Sequence, residues 1–150
     1  MRQYGLVADQ IDDMLNKKSG LLGISGLSGD MRDVLAGMHA GNERAKLAFD
    51  LYTHGLRIAI GGMAAVLESL EVLVFTAGVG ENSPGVRAAT CKGLDFLGVT
   101  IDLNRNKEPL LEADISSPES RVKVLIVRAA EDWAIAGECW RLCRYRAALA

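Results

Sequence analysis

Cysteine, proline, histidine and aromatic residues are all scarce in this chain, and neither sign of charge dominates. Three cysteines in 150 residues are too few for a disulfide-scaffolded mini-protein, and their odd number suits a reducing cytoplasm. With three prolines the chain is neither a collagen-like fibre nor a proline-rich disordered tail. Seventeen Lys and Arg against nineteen Asp and Glu leave a net charge of -2, whereas a dedicated nucleic-acid binder is usually basic. No apolar stretch is long. The longest uninterrupted run, residues 58–67, is ten residues, and a membrane span needs about 20. Met1-Arg2-Gln3-Tyr4 leads into no apolar segment of the secretory type, so no signal peptide is expected. What is present is 49% apolar and 24% charged, the balance of a soluble globular protein, at the length of one ordinary domain.

Residues 9–18 read as a short amphipathic helix, opened by acids and closed by lysines as the helix dipole favours. Gly20, Gly23, Gly26 and Gly29 then recur at three-residue spacing, a density that predicts loop or turn over 19–29. Asp30 is placed to cap a helix over 31–38, and Asn42 to cap a long one reaching about residue 70. On that long helix Leu47, Leu51, Ile58, Gly62 and Ala65 share a face, widened by Ala48, Tyr52, Ala59, Met63 and Val66. This predicts burial for much of its length, with Gly55, Gly61 and Gly62 admitting another backbone. Two apolar β-branched runs, 72–76 and 122–127, read as parallel strands buried on both faces. The first enters a loop over 77–82, after which Ser83-Pro84 opens a helix as N-cap and first residue. The second passes through Arg128-Ala129-Ala130 into a helix over about 131–145. A short edge strand is expected over 98–102, with 107–120 mostly irregular. The class is α/β with right-handed crossovers.

The segment Gly78-Val79-Gly80-Glu81-Asn82 is the most informative for function. A strand ending in small residues, followed by a helix start, presents free backbone N–H groups at the carboxyl end of a sheet, where α/β folds bind ligands. It is not a Walker A loop, because no Lys-Ser/Thr pair follows, nor a dinucleotide fingerprint, because Ser83 stands where the third glycine would. A nucleotide site and a plain tight connection both remain open on pattern alone. Glu131 lies just beyond the second strand; it reads either as an oxygen ligand for Mg²⁺ or as a first-turn acid favoured by the helix dipole. Asp30 and Arg32 read either as a cap with a surface arginine or as a polar pair lining a nucleotide site. Cys139 and Cys143 fit small core residues better than a zinc site, since Cys91 is remote and His39 and His54 do not cluster. His54, within the long helix, reads as a core histidine.

Taken together, these motifs resemble one family. Val74-Phe75-Thr76-Ala77-Gly78-Val79-Gly80-Glu81-Asn82-Ser83 looks like the nucleotide-binding signature of acetate kinase and its propionate kinase relatives. Leu15-Asn16-Lys17-Lys18-Ser19-Gly20-Leu21-Leu22-Gly23-Ile24-Ser25-Gly26 is similar to the segment before the second nucleotide motif, which Asp30-Met31-Arg32 matches. Gly93-Leu94-Asp95-Phe96-Leu97-Gly98-Val99 and Ser120-Arg121-Val122-Lys123-Val124-Leu125 follow in the same order.

The resemblance implies a cytoplasmic carboxylate phosphotransferase of the actin, Hsp70 and sugar kinase superfamily. Such an enzyme moves the γ-phosphoryl of ATP reversibly to acetate with Mg²⁺, giving ADP and acetyl phosphate. It implies a partial ribonuclease H-like fold, with few parallel strands flanked by helices. Carried over by position, Asp30, Met31 and Arg32 would contact ATP or ADP, Gly78, Val79, Gly80, Glu81 and Asn82 would hold the adenosine end, and Glu131 would organise Mg²⁺. Two departures stand out. The family usually reads Pro-Thr-Asn-Glu-Glu where this chain has Arg128-Ala129-Ala130-Glu131-Asp132, so two polar neighbours of the glutamate are alanines. The family enzyme is also roughly two to three times this length. On that basis residues 1–150 are expected to form a single C-terminal domain without the N-terminal domain and without the first strands of its own sheet. Such a chain would be inactive alone, with an unpaired edge on the strand at 72–76. It would form a homodimer or associate with a separate N-terminal chain. The alternative is a non-catalytic dimerisation module with a vestigial nucleotide site; neither nucleic acid nor membrane is an expected partner.

Overall fold

The computed structural model describes residues 5–107 and 112–147; part of the irregular segment expected over 107–120 therefore lies outside the described residues. The chain opens with helix α1 (Ala8–Lys17), whose Asp13 pairs with Lys17 at 3.2 Å and with Lys18. The glycine-rich stretch that follows is not all loop: Gly20–Ser25 forms helix α2. Gly20 and Gly26 sit at its ends with φ of 58° and 64°, the left-handed conformation that glycine adopts freely. Gly23, inside the helix, leaves room for the Lys18 carbonyl oxygen, which a Cβ there would meet at 2.9 Å. Leu21 and Ile24 pack onto the core, and that burial outweighs the poor helix propensity of the segment.

Both expected caps are present. The Asp30 carboxylate accepts from the Arg32 backbone N–H at the start of α3 (Met31–His39), and the Asn42 side-chain oxygen accepts from Arg44 and Ala45 N–H at the start of α4 (Glu43–Leu67). The expected burial of α4 is corrected. Its buried residues are Ala45, Ala48, Phe49, Thr53 and Ala64, while Leu47, Leu51, Ile58, Met63 and Val66 are exposed. The packed face is set by the small residues that α2, α3 and the helix at 84–92 can approach. Among the described residues nothing outside α4's own backbone lies within 4 Å of a Cβ built on Gly55, Gly61 or Gly62, so no neighbouring backbone approaches these glycines there. His54 is exposed rather than in the core.

Strand β1 (Val72–Phe75) runs parallel to β3 (Lys123–Ile126), with Val72 opposite Lys123 and Phe75 opposite Ile126. Strand β2 (Ala113–Asp114) joins the other side of β3 antiparallel, giving the order β1-β3-β2. The edge strand expected over 98–102 is not formed. A 3-10 turn (Asp95–Leu97) ends on Gly98 at φ 86°, and only Ile101 bridges across to Ser116. β1 is not buried on both faces either: Val72 and Val74 are exposed, and Phe75 faces the core. Among the described residues β1 pairs with β3 alone.

The loop expected after β1 is helical. It forms α5 (Ala77–Asn82), followed at once by α6 (Pro84–Lys92), with α7 (Leu103–Lys107) further on. Pro84 occupies the first position of α6 as expected, but the Ser83 hydroxyl caps nothing: it is buried without a partner. Its backbone N–H instead closes α5 onto the Val79 carbonyl at 3.0 Å. Helix α8 (Glu131–Ala147) completes the chain, and every residue from Glu131 to Arg144 is exposed. Cys139 and Cys143 are thus surface residues, not core ones. Two apolar clusters carry the packing. One gathers Cys91, Leu94, Val99, Ile115, Val124 and Ile126 around the sheet; the other gathers Met31, Val34, Ala45, Ala48, Phe49 and Val86 between helices.

On α6 stands Arg87, a fully buried side chain. Its Nε donates to Asn106 Oδ1 at 2.7 Å and its Nη2 to the Asn106 carbonyl at 2.8 Å. Its Nη1 donates to the carbonyls of Gly80 and Glu81 at 2.8 and 2.7 Å. Asn106 in turn donates from Nδ2 to the Pro84 carbonyl at 2.9 Å. Desolvation pulls the guanidinium below its ordinary pKa. Among the described residues the oxygens that accept from this buried cation are all neutral.

Replacing Arg87 by alanine is expected to destabilise the chain by about 3 kcal/mol or more, because several buried acceptors lose their donors. Lysine is expected not to restore stability, since one ammonium cannot reproduce the planar fork; urea unfolding checks both. In the same assay Asn42→Ala is expected to cost about 1 kcal/mol through the lost cap. Gly62→Ala is expected to gain about 0.5–1 kcal/mol, as its site is open helix interior.

Candidate functional site

Two stretches far apart in sequence close around one pocket of about 340 Å³, lined by Asp30, Met31, Arg32, Leu35, Gly78, Val79, Asn82 and Ser83. The start of α3 forms one wall and α5 the other. Met31 is held there by burial in the helical core, onto which Val79 also packs. Asp30 is fixed by more than its cap. The Arg32 guanidinium donates from Nη2 to its Oδ2 at 2.6 Å and from Nε to Oδ1 at 3.1 Å. These bonds, with the backbone N–H of Arg32, hold the Asp30 carboxyl down at about 2. The aspartate is therefore an anion at neutral pH, and Arg32 remains a cation at the pocket rim. On the opposite wall Asn82 Nδ2 donates to the Gly78 carbonyl at 2.9 Å, closing α5 into a compact turn.

A second cleft of about 260 Å³ adjoins the pocket and shares Gly78 and Asn82 with it; Ala77, Glu81, Arg128, Ala129, Ala130, Glu131 and Asp132 complete its lining. Both strand-to-helix turns meet here. Each passes through an alanine in the left-handed region, Ala77 at φ 58° and Ala130 at φ 48°, a conformation costing an L-residue roughly 1–2 kcal/mol. The Glu81 carboxylate accepts from the Ala129 N–H at 2.9 Å, bridging the two turns.

The sequence-predicted residues thus divide. Asp30, Met31, Arg32, Gly78, Val79 and Asn82 line the pocket; Glu81 and Glu131 line the cleft; Gly80, within α5, lines neither, its carbonyl meeting Arg87 and a Cβ there sitting 3.3 Å from the Phe75 backbone. Arg87 escaped the sequence reading. Its one signal is a basic residue near the start of a helix, against the dipole. Among the described residues no group of three or more His, Cys, Asp or Glu side chains could hold a metal ion. That donor set excludes an all-protein cage there but suits Mg²⁺, which takes one or two carboxylates and completes its shell with waters and substrate phosphates. Cys91, the buried thiol, is pushed up to about 12 by desolvation; it is a core residue and not a nucleophile.

The chain matches the family-wide sequence pattern of the acetokinase family over residues 1–137. It is 52% identical over 141 residues to the acetate kinase of Microcystis aeruginosa, covering 94% of this chain and 35% of that protein. With the acetate kinase of a Cyanothece species it shares 49% over 142 residues, 95% of this chain and 35% of that one. Among solved structures, Porphyromonas gingivalis acetate kinase superposes with a TM-score of 0.84 at 40% identity, covering 92% of this chain and 35% of that one. A Francisella tularensis propionate kinase gives 0.77 at 34% identity, with 85% and 32% covered. The chain spans about a third of the length of the curated relatives it matches. Its small sheet flanked by helices is part of the ribonuclease H-like fold shared by actin, Hsp70 and sugar kinases. The chain belongs to the acetokinase family.

Proposed function

We propose that this chain is the nucleotide-binding portion of a phosphotransferase that passes the γ-phosphoryl of ATP to acetate, giving ADP and acetyl phosphate. The observation that carries the reading is the single pocket shared by Asp30-Met31-Arg32 and the turn containing Gly78, Val79 and Asn82. Met31, Leu35 and Val79 offer apolar surface to a flat base. Arg32 brings a cation, and Gly78 leaves space for a close approach to backbone. The adjoining cleft extends from that pocket to Glu131.

Phosphoryl transfer depends mainly on positioning and on neutralising charge. Glu131 would hold Mg²⁺ at the phosphate end of the nucleotide, where a bound divalent cation neutralises phosphate charge. Asp30 orients Arg32. Groups that bind acetate and the γ-phosphate are assigned to the remaining two thirds of a family-length protein, supplied by further polypeptide. Three free thiols fit a reducing cytoplasm.

The 150-residue chain is expected to bind ADP in isothermal calorimetry and to form no acetyl phosphate from ATP and acetate. Gly78→Trp is the discriminating variant. Among the described residues nothing outside the local helix backbone lies within 4 Å of a Cβ at Gly78, so a side chain there projects from the pocket wall, and ADP binding is expected to be lost. Arg32→Ala is expected to weaken binding roughly tenfold, the loss of one charge-assisted contact. Absence of heat at millimolar ADP favours the interaction-module reading instead.

The exposed Val72 and Val74 on β1, with Ile58, Met63, Val66 and Leu67 on α4, favour association with a second polypeptide. Sedimentation of the purified chain is expected to give a homodimer at micromolar concentration; a monomer across that range counts against self-association.

A further inference from the structure

Helix α8 buries none of its residues from Glu131 to Arg144, so its direction is set at its root. That root is short. Val127 N–H donates to the Phe75 carbonyl at 3.0 Å as the last bond of the sheet, and Ala129 N–H donates to the Glu81 carboxylate at 2.9 Å. The next residue, Ala130, turns through φ 48°, and its carbonyl accepts from Trp133 N–H at 3.0 Å to begin the helix. Neither Ala129 nor Ala130 has a polar side chain with which to hold this turn. An L-residue persists in the left-handed region only where its surroundings enforce it.

Glu81 is itself rigidly presented. Its carbonyl takes one of the buried Arg87 bonds at 2.7 Å, and its helix, α5, supplies Gly78 and Asn82 to both pocket and cleft. A relay of hydrogen bonds therefore runs from Asn106 through Arg87 and Glu81 to Ala129. It ends two residues before Glu131.

We propose that Glu81 is a positioning residue: its carboxylate holds the Ala129–Ala130 turn so that α8 starts with Glu131 at the cleft bordered by Gly78 and Asn82. Glu81 thereby couples the nucleotide wall to the carboxylate at the phosphate end. The tie rests on geometry alone; the task given to Glu131 rests on the nucleotide reading above.

Two measurements on the chain, with E81A and E81Q, test the proposal. Amide hydrogen exchange at Ala129 is expected to speed up roughly tenfold or more in E81A, as a charge-assisted bond is lost, and to return to near the original rate in E81Q, whose amide oxygen still accepts. Calorimetric titration with ADP, with and without Mg²⁺, is expected to show tighter binding with the metal in the original chain and in E81Q. In E81A that Mg²⁺ effect is expected to vanish. Unchanged exchange at Ala129 in E81A, or an undiminished Mg²⁺ effect there, overturns the proposal. If the original chain binds no ADP, the nucleotide reading fails instead, and the exchange rates decide the tie by themselves.

Discussion

The Arg87 guanidinium is the constraint around which the functional half of this structure is arranged. A buried cation must find oxygens, and the ones it finds belong to the signature turn (Gly80 and Glu81) and to α7 (Asn106). Those carbonyls are the ones a six-residue helix leaves unpaired at its end. Arg87 supplies the missing donors and fixes α5 against the core at the same time. Gly78, Val79 and Asn82 can then stand as a wall, because the opposite side of α5 is already committed. The electrostatic cost of burying the charge is offset by four hydrogen bonds of good length.

Much of this was legible in the sequence. The caps Asp30 and Asn42 are local features, fixed by a side chain two or three residues from the N–H groups it serves, and they stand where pattern placed them. The β-branched runs gave both parallel strands. The pocket's two walls were legible as motifs, although their meeting was not, since nothing local to Asp30 refers to Gly78.

What escaped the pattern was tertiary. The stretch over 19–29 has poor helix propensity, yet Leu21 and Ile24 obtain enough burial to hold α2. The face of α4 that periodicity favoured leaves Leu47, Leu51 and Ile58 exposed, and of its members Ala48 alone is fully buried; the neighbours pack instead around Ala45, Ala48, Phe49 and Thr53. Residue size alone does not decide which face is covered: Phe49 is buried while Ala59 and Ala65 are exposed. Ser83 illustrates a different limit. Its position before Pro84 is that of a capping serine, but α5 ends immediately before it and its backbone serves that helix instead.

Helix α6 gives Val86 to the helical cluster and Cys91 to the sheet cluster, which makes it the shared beam of two otherwise separate cores. The pocket walls, Met31 and Val79, both belong to the helical cluster, whereas the strand leading to Glu131 belongs to the sheet cluster. The pocket therefore rests on one core, while the cleft beside it is framed by elements of both. The Glu81–Ala129 hydrogen bond is the tie that spans the two.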